Sequence, residues 1–241
     1  MAINLPHWLA EVINVLGFDW PEIDEDQLRE AARHLRKYAH DAESSHDRSH
    51  KIVTGDLQEV YAAQSYTALA QAWAGQSSKH MKELIEACRM LATALDDAAI
   101  GVEAMKDKCI VQLGIAAGEL GLDVAASAVT LGLSDLAAAA EVEVQQRLMN
   151  GIMQNFEREV VSLLVGKITG PIKEKIDHSV EKLLFAEIAQ EALGAPPAAR
   201  MKLDYDAILG HANTIKGESK ANLDGGRTLR HNTGHLTFKT G

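Results

Sequence analysis

The chain has 241 residues, of which 46% are apolar and only 5% aromatic, and it carries a formal charge of −10 at pH 7. A chain of this length buries a sizeable core without disulfides or a structural metal, and an apolar set drawn mostly from Ala and Leu suits packed helices rather than sheets. The acidic balance excludes phosphate-backbone binding as its main task, because counterion release needs a concentrated basic surface, so no nucleic-acid partner is expected.

Leu5 to Leu16 reads as a short amphipathic helix. Leu5, Leu9, Val12, Ile13 and Leu16 share a face, and Pro6 is tolerated in the first turn, where an N–H would lack a partner anyway. Gly17 ends it, and Phe18-Asp19-Trp20-Pro21 interrupts helix because the residue before a proline is pushed out of the α region. The stretch has no basic segment and no A-x-A-type cleavage site, and His7, Glu11 and Asn14 break its apolar run, so no Sec leader is read here.

A second helix is expected to begin at Asp24 or Glu25, where acidic groups complement the helix dipole. Its seam, Leu28, Ala31, Leu35, Tyr38, Ala42, Ser45, Ser49 and Ile52, alternates steps of three and four, and its C-terminal half, turning polar, is expected to be less buried. Gly55 and Asp56 mark its end, with a turn between residues 54 and 64. The most regular pattern follows: Met81, Leu84, Cys88, Leu91, Leu95, Ala98, Val102, Met105 and Cys109 keep the same alternation. One long helix is therefore expected from about Tyr66 to Leu113, roughly 70 Å at 1.5 Å per residue. The two helices form an antiparallel hairpin over about residues 24–113, the arrangement that covers both stripes.

After Gly114, Gly118 and Gly121 the chain is rich in Ala and Gly up to Leu136, with breaks expected near Gly121 and Gly132. The apolar stretch from Cys109 to Ala140 contains Glu119, Asp123 and Asp135, and its longest uncharged part falls short of the roughly 20 residues of a membrane span, so it reads as a buried helix or helix pair. Ala137 to about Lys167 makes another helix, with Val144, Leu148, Ile152, Phe156, Val160 and Leu163 on one side. Gly170-Pro171 ends it, and Ile172, Ile176, Val180, Leu183, Leu184 and Ile188 mark a final helix that stops at Gly194 before Pro196-Pro197. Residues 1–199 carry 17 Lys and Arg against 30 Asp and Glu, whereas residues 200–241 carry seven against four, a shift that sets the end of the chain apart. The fold class is thus all-α: a helical hairpin and additional packed helices over residues 1–195, then a polar, flexible linker or tail over 196–241 with at most a short helical turn around Tyr205 to Leu209.

No constellation supports catalysis, and no cofactor is implied. G-x-S-x-G, Walker-type, H-E-x-x-H and dinucleotide glycine patterns are missing, and Gly114-x-x-x-Gly118 falls in a helical segment, where it serves close packing. The acidic cluster of Glu22, Asp24, Glu25 and Asp26 is explained by a helix start. Cys88 and Cys109 lie outside any CxxC or zinc spacing on the apolar side of the long helix and read as core. His46 and His50 are spaced to share an ion, but one helix face supplies two ligands rather than a closed set, and Ser44 to His50 reads as a solvated surface. His231 and His235 read as linker residues. No metal site is assigned, and the chain is not expected to be an enzyme.

Trp73-Ala74-Gly75 gains weight from its place beside a long hairpin with a small-residue seam. Four further segments accompany it: the opening Leu5-Pro6-His7-Trp8-Leu9, the break Gly17-Phe18-Asp19-Trp20-Pro21 followed by Asp24-Glu25-Asp26, the long helix with His80-Met81 through Leu95, and Leu131-Gly132-Leu133-Ser134. On these residues the chain resembles the WXG superfamily of leaderless actinobacterial proteins exported by the type VII (ESX) pathway, and more specifically the WXG-like N-terminal domain of polymorphic toxins. The resemblance covers roughly residues 5–193. It implies a non-enzymatic targeting or adaptor role, secretion from the cytoplasm without a Sec signal, a small WXG-type helical protein as heterodimeric partner, and the type VII machinery as receptor.

Two features depart from the family pattern. In its small members the Trp-x-Gly motif lies in the turn between the helices, whereas Trp73 falls after the expected turn, where Tyr61-Ala62-Ala63 stands instead. The secretion signal of a Tyr and an acidic residue four positions on is not matched by Tyr38, Tyr61, Tyr66 or Tyr205, which points to a partner that supplies it in trans. The family also implies a toxin domain, yet only about 45 residues follow Pro197, so the chain is expected to be either a carrier without a toxin or the front portion of a longer polypeptide. Partner docking of the helix-in-groove kind is assigned to Tyr61, Tyr66, Trp73, Gly75, Met81 and Leu84, with apolar contacts rather than charges supplying the energy. Two other readings stay open: a self-assembling structural protein whose heptad stripe closes a homodimer, and a membrane-associated or pore-forming protein using residues 110–140.

Overall fold

A computed structural model describes residues 3–5, 9, 12–13, 16–76, 80–119, 136–164, 166 and 202–239, and among them the fold is all-α. Helix α1 (Glu25–Lys51) starts where the acidic run predicts, with the Asp24 carboxylate accepting the Gln27 N–H at 3.0 Å and Glu25 and Asp26 filling the first turn. It does not stop at Gly55. The chain passes through a π-helical turn, Ile52–Asp56, into a short α2 (Leu57–Val60), burying Ile52, Val53 and Leu57 on the way. A glycine inside a helix costs about 1 kcal/mol, less than the roughly 1.5–3 kcal/mol contributed by each of those buried side chains.

The chain reverses at β1 (Tyr61–Ala62), inside the expected turn range, and continues as α3 (Gln64–Gln76) and α4 (Lys82–Glu119). The single long helix expected from Tyr66 is therefore two helices. Residues 77–79, between them, lie outside the described residues, and Gly75 in the last turn of α3 is a poor helix former. Helix α5 (Leu136–Leu164), β2 (Lys202–Leu203) and α6 (Tyr205–Gly234) complete the described elements. The final helix expected between Ile172 and Ile188, the breaks near Gly121 and Gly132, and the boundary at residues 195 and 196 lie outside the described residues.

Contacts divide the chain into two compact units, the first formed by Met1–Glu30, Ala94–Gly166 and Thr237–Gly241. Its core gathers Leu9, Val12 and Leu16, as the N-terminal periodicity predicts, with Met105, Cys109 and Leu113 of α4 and Met149 and Phe156 of α5. Gly17, at φ +60°, supplies the left-handed turn that ends the opening helical stretch. Two ion pairs fix the antiparallel register of α1 and α4 in this unit. Arg29 grips both carboxylate oxygens of Glu103 at 2.6 Å, and Lys106 meets Glu25 at 2.7 Å with both side chains wholly buried. Helix α5 runs antiparallel to α4, with the Gln112 amide donating to Gln145 at 2.7 Å and Phe156 lying over Gly101.

The buried stripe of α5 differs from the expected one. Gln145, Met149 and Phe156 are buried, whereas Val144 and Leu148 are exposed. Steps of four residues advance about 40° around a helix of 3.6 residues per turn, so the row beginning at Val144 starts in solvent and reaches the core only by Phe156.

The second unit comprises Ala31–Thr93 and Lys167–Leu236. Here too α1 and α4 run antiparallel: Ala39 and Ala42 pack on Ile85, with Tyr38, Met81 and Cys88 against them, and Arg89 pairs with Glu43 at 2.5 Å. Strands β1 and β2 pair antiparallel, Tyr61 with Leu203 and Ala62 with Lys202. Asp204 then caps α6 by accepting the Ala207 N–H at 3.1 Å.

Helix α6 corrects the reading of this segment as a linker with a short turn, since it holds 30 residues. It lies antiparallel to α1. Ser45 Oγ donates to the Glu218 carbonyl at 3.2 Å, Arg48 donates to both Glu218 carboxylate oxygens at 2.7 and 2.8 Å, and Asn232 meets His34 at 3.4 Å. A Cβ added at Gly225 would stand 3.6 Å from the Tyr38 ring, an ordinary van der Waals contact, which places this turn of α6 directly against that ring. The polar half of the α1 seam is accordingly buried: Ser45, His46 and Ser49 are each less than a tenth exposed, against the expectation of a solvated face.

Candidate functional site

All six residues singled out for docking fall in the second unit, between β1 and the first turn of α4. Tyr61 is half-buried in β1, its hydroxyl bonded to Ser65 Oγ and its ring edge-on to Tyr66 at 6.0 Å. Tyr66 is buried on α3 and donates its hydroxyl to the Val53 carbonyl at 3.1 Å, and burial raises its ionisation above the usual tyrosine range. Trp73, half-buried on the same helix, stacks on His46 at 5.9 Å with the rings 14° from parallel. Its indole N–H is buried with no hydrogen-bond acceptor among the described residues. Gly75 lies in the last turn of α3. Met81 packs on the cluster of Ala39, Ala42 and Ile85, and Leu84 is half-buried on α4.

The structure thus brings Tyr61 to Tyr66, Trp73 to His46, and Met81 to the Ala-Ile cluster. Among the described residues no ring contact joins the tyrosine pair to Trp73. His46 is the member that the sequence did not reveal as a packing residue. Its ring also stacks on His50 at 6.3 Å, and burial, with His50 and Lys82, holds its pKa below the usual histidine value against the opposing pull of Asp47. A neutral imidazole is a flat, weakly polar surface on which an indole stacks well. The available signal was its place beside the Ala42, Ser45 and Ser49 seam, which sets it on the flank of a covered face.

Among the described residues no three His, Cys, Asp or Glu groups converge to hold a metal ion. Cys88 and Cys109 are free thiols on the packed side of α4, and burial pushes both upward, Cys109 to about 11. What the segment from Tyr61 to Leu84 offers chemically is partly exposed aromatic and aliphatic surface held on helices, suited to packing against another apolar face.

The sequence matches the WXG100-like domain family over residues 2–148. The chain belongs to this family. Its WXG100-like region takes in α1, α3, α4 and the first turns of α5, and so the whole hairpin. WXG100-like proteins are helical proteins related to type VII secretion and are generally non-enzymatic. In this member Trp73-Ala74-Gly75 ends α3 and lies within the connection between α1 and α4, later in that connection than the reversal at Tyr61 and Ala62. No curated protein and no solved structure matches the chain. No helix of the described residues is long and apolar enough to cross a membrane.

Proposed function

We propose that this WXG100-like chain is the targeting module of a type VII export substrate, which docks a small helical partner and is exported with it. The observation that carries the reading is the family match over the complete α1–α4 hairpin. The connection between those helices supports it, because Tyr61, Trp73, Met81 and Leu84 each keep part of their surface open beside Gly75, while Tyr66 is spent on holding Tyr61. An amphipathic helix laid across them would gain its affinity from apolar burial, with the few charged groups setting orientation. The missing Tyr-and-acidic signal would then be supplied by the partner.

The test is co-purification with the small WXG-type proteins encoded beside its gene, followed by export in a host with an active type VII system. A one-to-one complex is expected, weakened by Leu84→Asp and Trp73→Asp while thermal melting of Leu84→Asp stays close to that of the parent. Failure of every neighbouring WXG-type protein to bind the folded chain would overturn the reading.

A further inference from the structure

The stretch proposed for docking is tied down by a segment far along the chain. Strand β2 pairs with β1, setting Leu203 against Tyr61, and the next residue, Asp204, joins this ladder to α6. Its N–H donates to the Val60 carbonyl at 3.0 Å, its carboxylate accepts the Ala207 N–H and its carbonyl accepts the Ile208 N–H, so one residue both extends the ladder and starts the helix. Helix α6 in turn packs on the π-helical turn and on α2, the elements that lead into Tyr61. Tyr66 holds the same stretch, its hydroxyl on the Val53 carbonyl and its ring against Tyr61.

The attachment of α6 is weak beside that of the hairpin helices. Gly210, Gly217, Gly225, Gly226 and Gly234 make five of its 30 residues glycine, a poor helix former, and no residue of the helix is buried. Its seam with α1 includes Ser45 on the Glu218 carbonyl, the Arg48–Glu218 pair and Asn232 against His34, contacts that water replaces at little net loss. Helix α4, by contrast, buries Val102, Met105, Cys109 and Leu113 in the core of the first unit. Segments with few buried apolar groups and many exposed backbone hydrogen bonds open locally, well before the whole fold does.

We propose that β2 and α6 form a latch on the docking segment: they leave the hairpin as one unit, and residues 57–62, Tyr61 among them, are set in place only while the latch is closed. Asp204 couples the two halves, since unwinding the first turn of α6 removes the cap from the residue whose N–H holds Val60. A partner seated across Tyr61 meets a finished surface only when the latch is shut, and by linkage its binding keeps the latch shut. That bearing on a partner rests on the docking reading above; the joint opening does not.

Hydrogen exchange of the full chain, read by mass spectrometry on peptides covering residues 57–62, 205–234 and 102–117, tests the latch without a partner. Corrected for intrinsic rates, the first two are expected to exchange within about threefold of each other and about 100-fold or more faster than the third. Asp204→Ala is expected to speed both by about fivefold through loss of the cap, and Asp204→Asn, which caps equally well, to leave both as in the parent. Ala212→Pro, at an exposed position in the body of α6, is expected to strip protection from residues 57–62 along with the helix while residues 102–117 keep theirs. The same variant is expected to weaken the complex with a small WXG-type protein about tenfold or more, because the docking-competent form becomes the minor one. Rates for residues 57–62 that do not follow those of α6, an α6 that exchanges only as slowly as residues 102–117, or a complex indifferent to Ala212→Pro overturns the latch. Coupled exchange in a chain that binds no WXG-type protein tells against the docking reading alone.

Discussion

In the first unit α4 meets α5 through Met105, Cys109, Leu113, Met149 and Phe156; in the second, α1 meets α6 through Tyr38, Ser45, Arg48, Glu218 and Gly225. The first contact is an apolar core, stabilised in proportion to the area removed from water, beside the sealed ion pair that joins α4 to α1. The second is a seam of hydroxyl, amide and glycine positions whose net gain is about 0.5–1.5 kcal/mol for each hydrogen bond. Both contacts nonetheless obey the same spacing. Along α6, Ile208, His211, Ile215, Glu218, Asn222, Gly225, Leu229 and Asn232 are partly buried at steps of three and four, with Ala207, Gly226 and Thr233 beside them. Helix pairing therefore depends on periodicity first and on hydrophobicity second.

The contrast can be broken most severely at the buried ion pair. Lys106→Met leaves the Glu25 carboxylate sealed in the first unit without its counter-ion, with only the Ile3 N–H still donating to it, and is expected to cost about 3–5 kcal/mol in urea unfolding. Adding Glu25→Leu should recover most of that loss, because an apolar pair of similar volume has no desolvation penalty to offset. Leu113→Ala, in the same core, should cost about 3 kcal/mol by the same measurement.

Smaller effects are expected in the polar seam and at the thiols. Gly217 has open space around its Cα, so Gly217→Ala should raise stability by about 1 kcal/mol through helix propensity alone. Arg48→Ala should cost less than about 1 kcal/mol despite its fork to Glu218, since the arginine side chain is 58% exposed. The Cys109 thiol ionises near 9 when unfolded and at about 11 when folded. Its contribution to stability is thus complete below pH 9 and is lost as pH rises from 9 toward 11. Cys109→Ser should flatten that part of the curve in unfolding measured against pH, and Cys88, only partly buried, should react first with a thiol reagent at pH 8.

Those two kinds of seam also explain what the sequence disclosed. Leu9, Val12, Leu16, Val102, Met105, Cys109 and Leu113 announce their burial because they are apolar at helical spacing. The acidic run before Glu25 marks a helix start, and the turn near Tyr61 falls within the expected range, for equally local reasons. Helix α6 stayed hidden because its composition is that of a linker, and polar residues reveal a covered face only through what they meet across it. The helical stretch expected from Tyr66 is found as α3 and α4, with residues 77–79 between them outside the described residues. Of the residues proposed for docking, Tyr61, Tyr66, Trp73 and Met81 stand out in the sequence as large side chains near the motif, whereas the stacking of His46 depends on a fold that brings Trp73 to it.

Ser45 meets a carbonyl 173 positions further along the chain, and β1 waits for β2 across a similar span. A nascent polypeptide emerges from the ribosome N-terminus first, so the face of α1 that α6 will cover stands in water until residue 218 has been made. Leucines in that row would offer every passing chain a sticky edge for the whole interval. Ser45 and Arg48 hold water in the meantime and release it when α6 arrives, which lets a helix pair with so long a loop between its members close late without aggregating early.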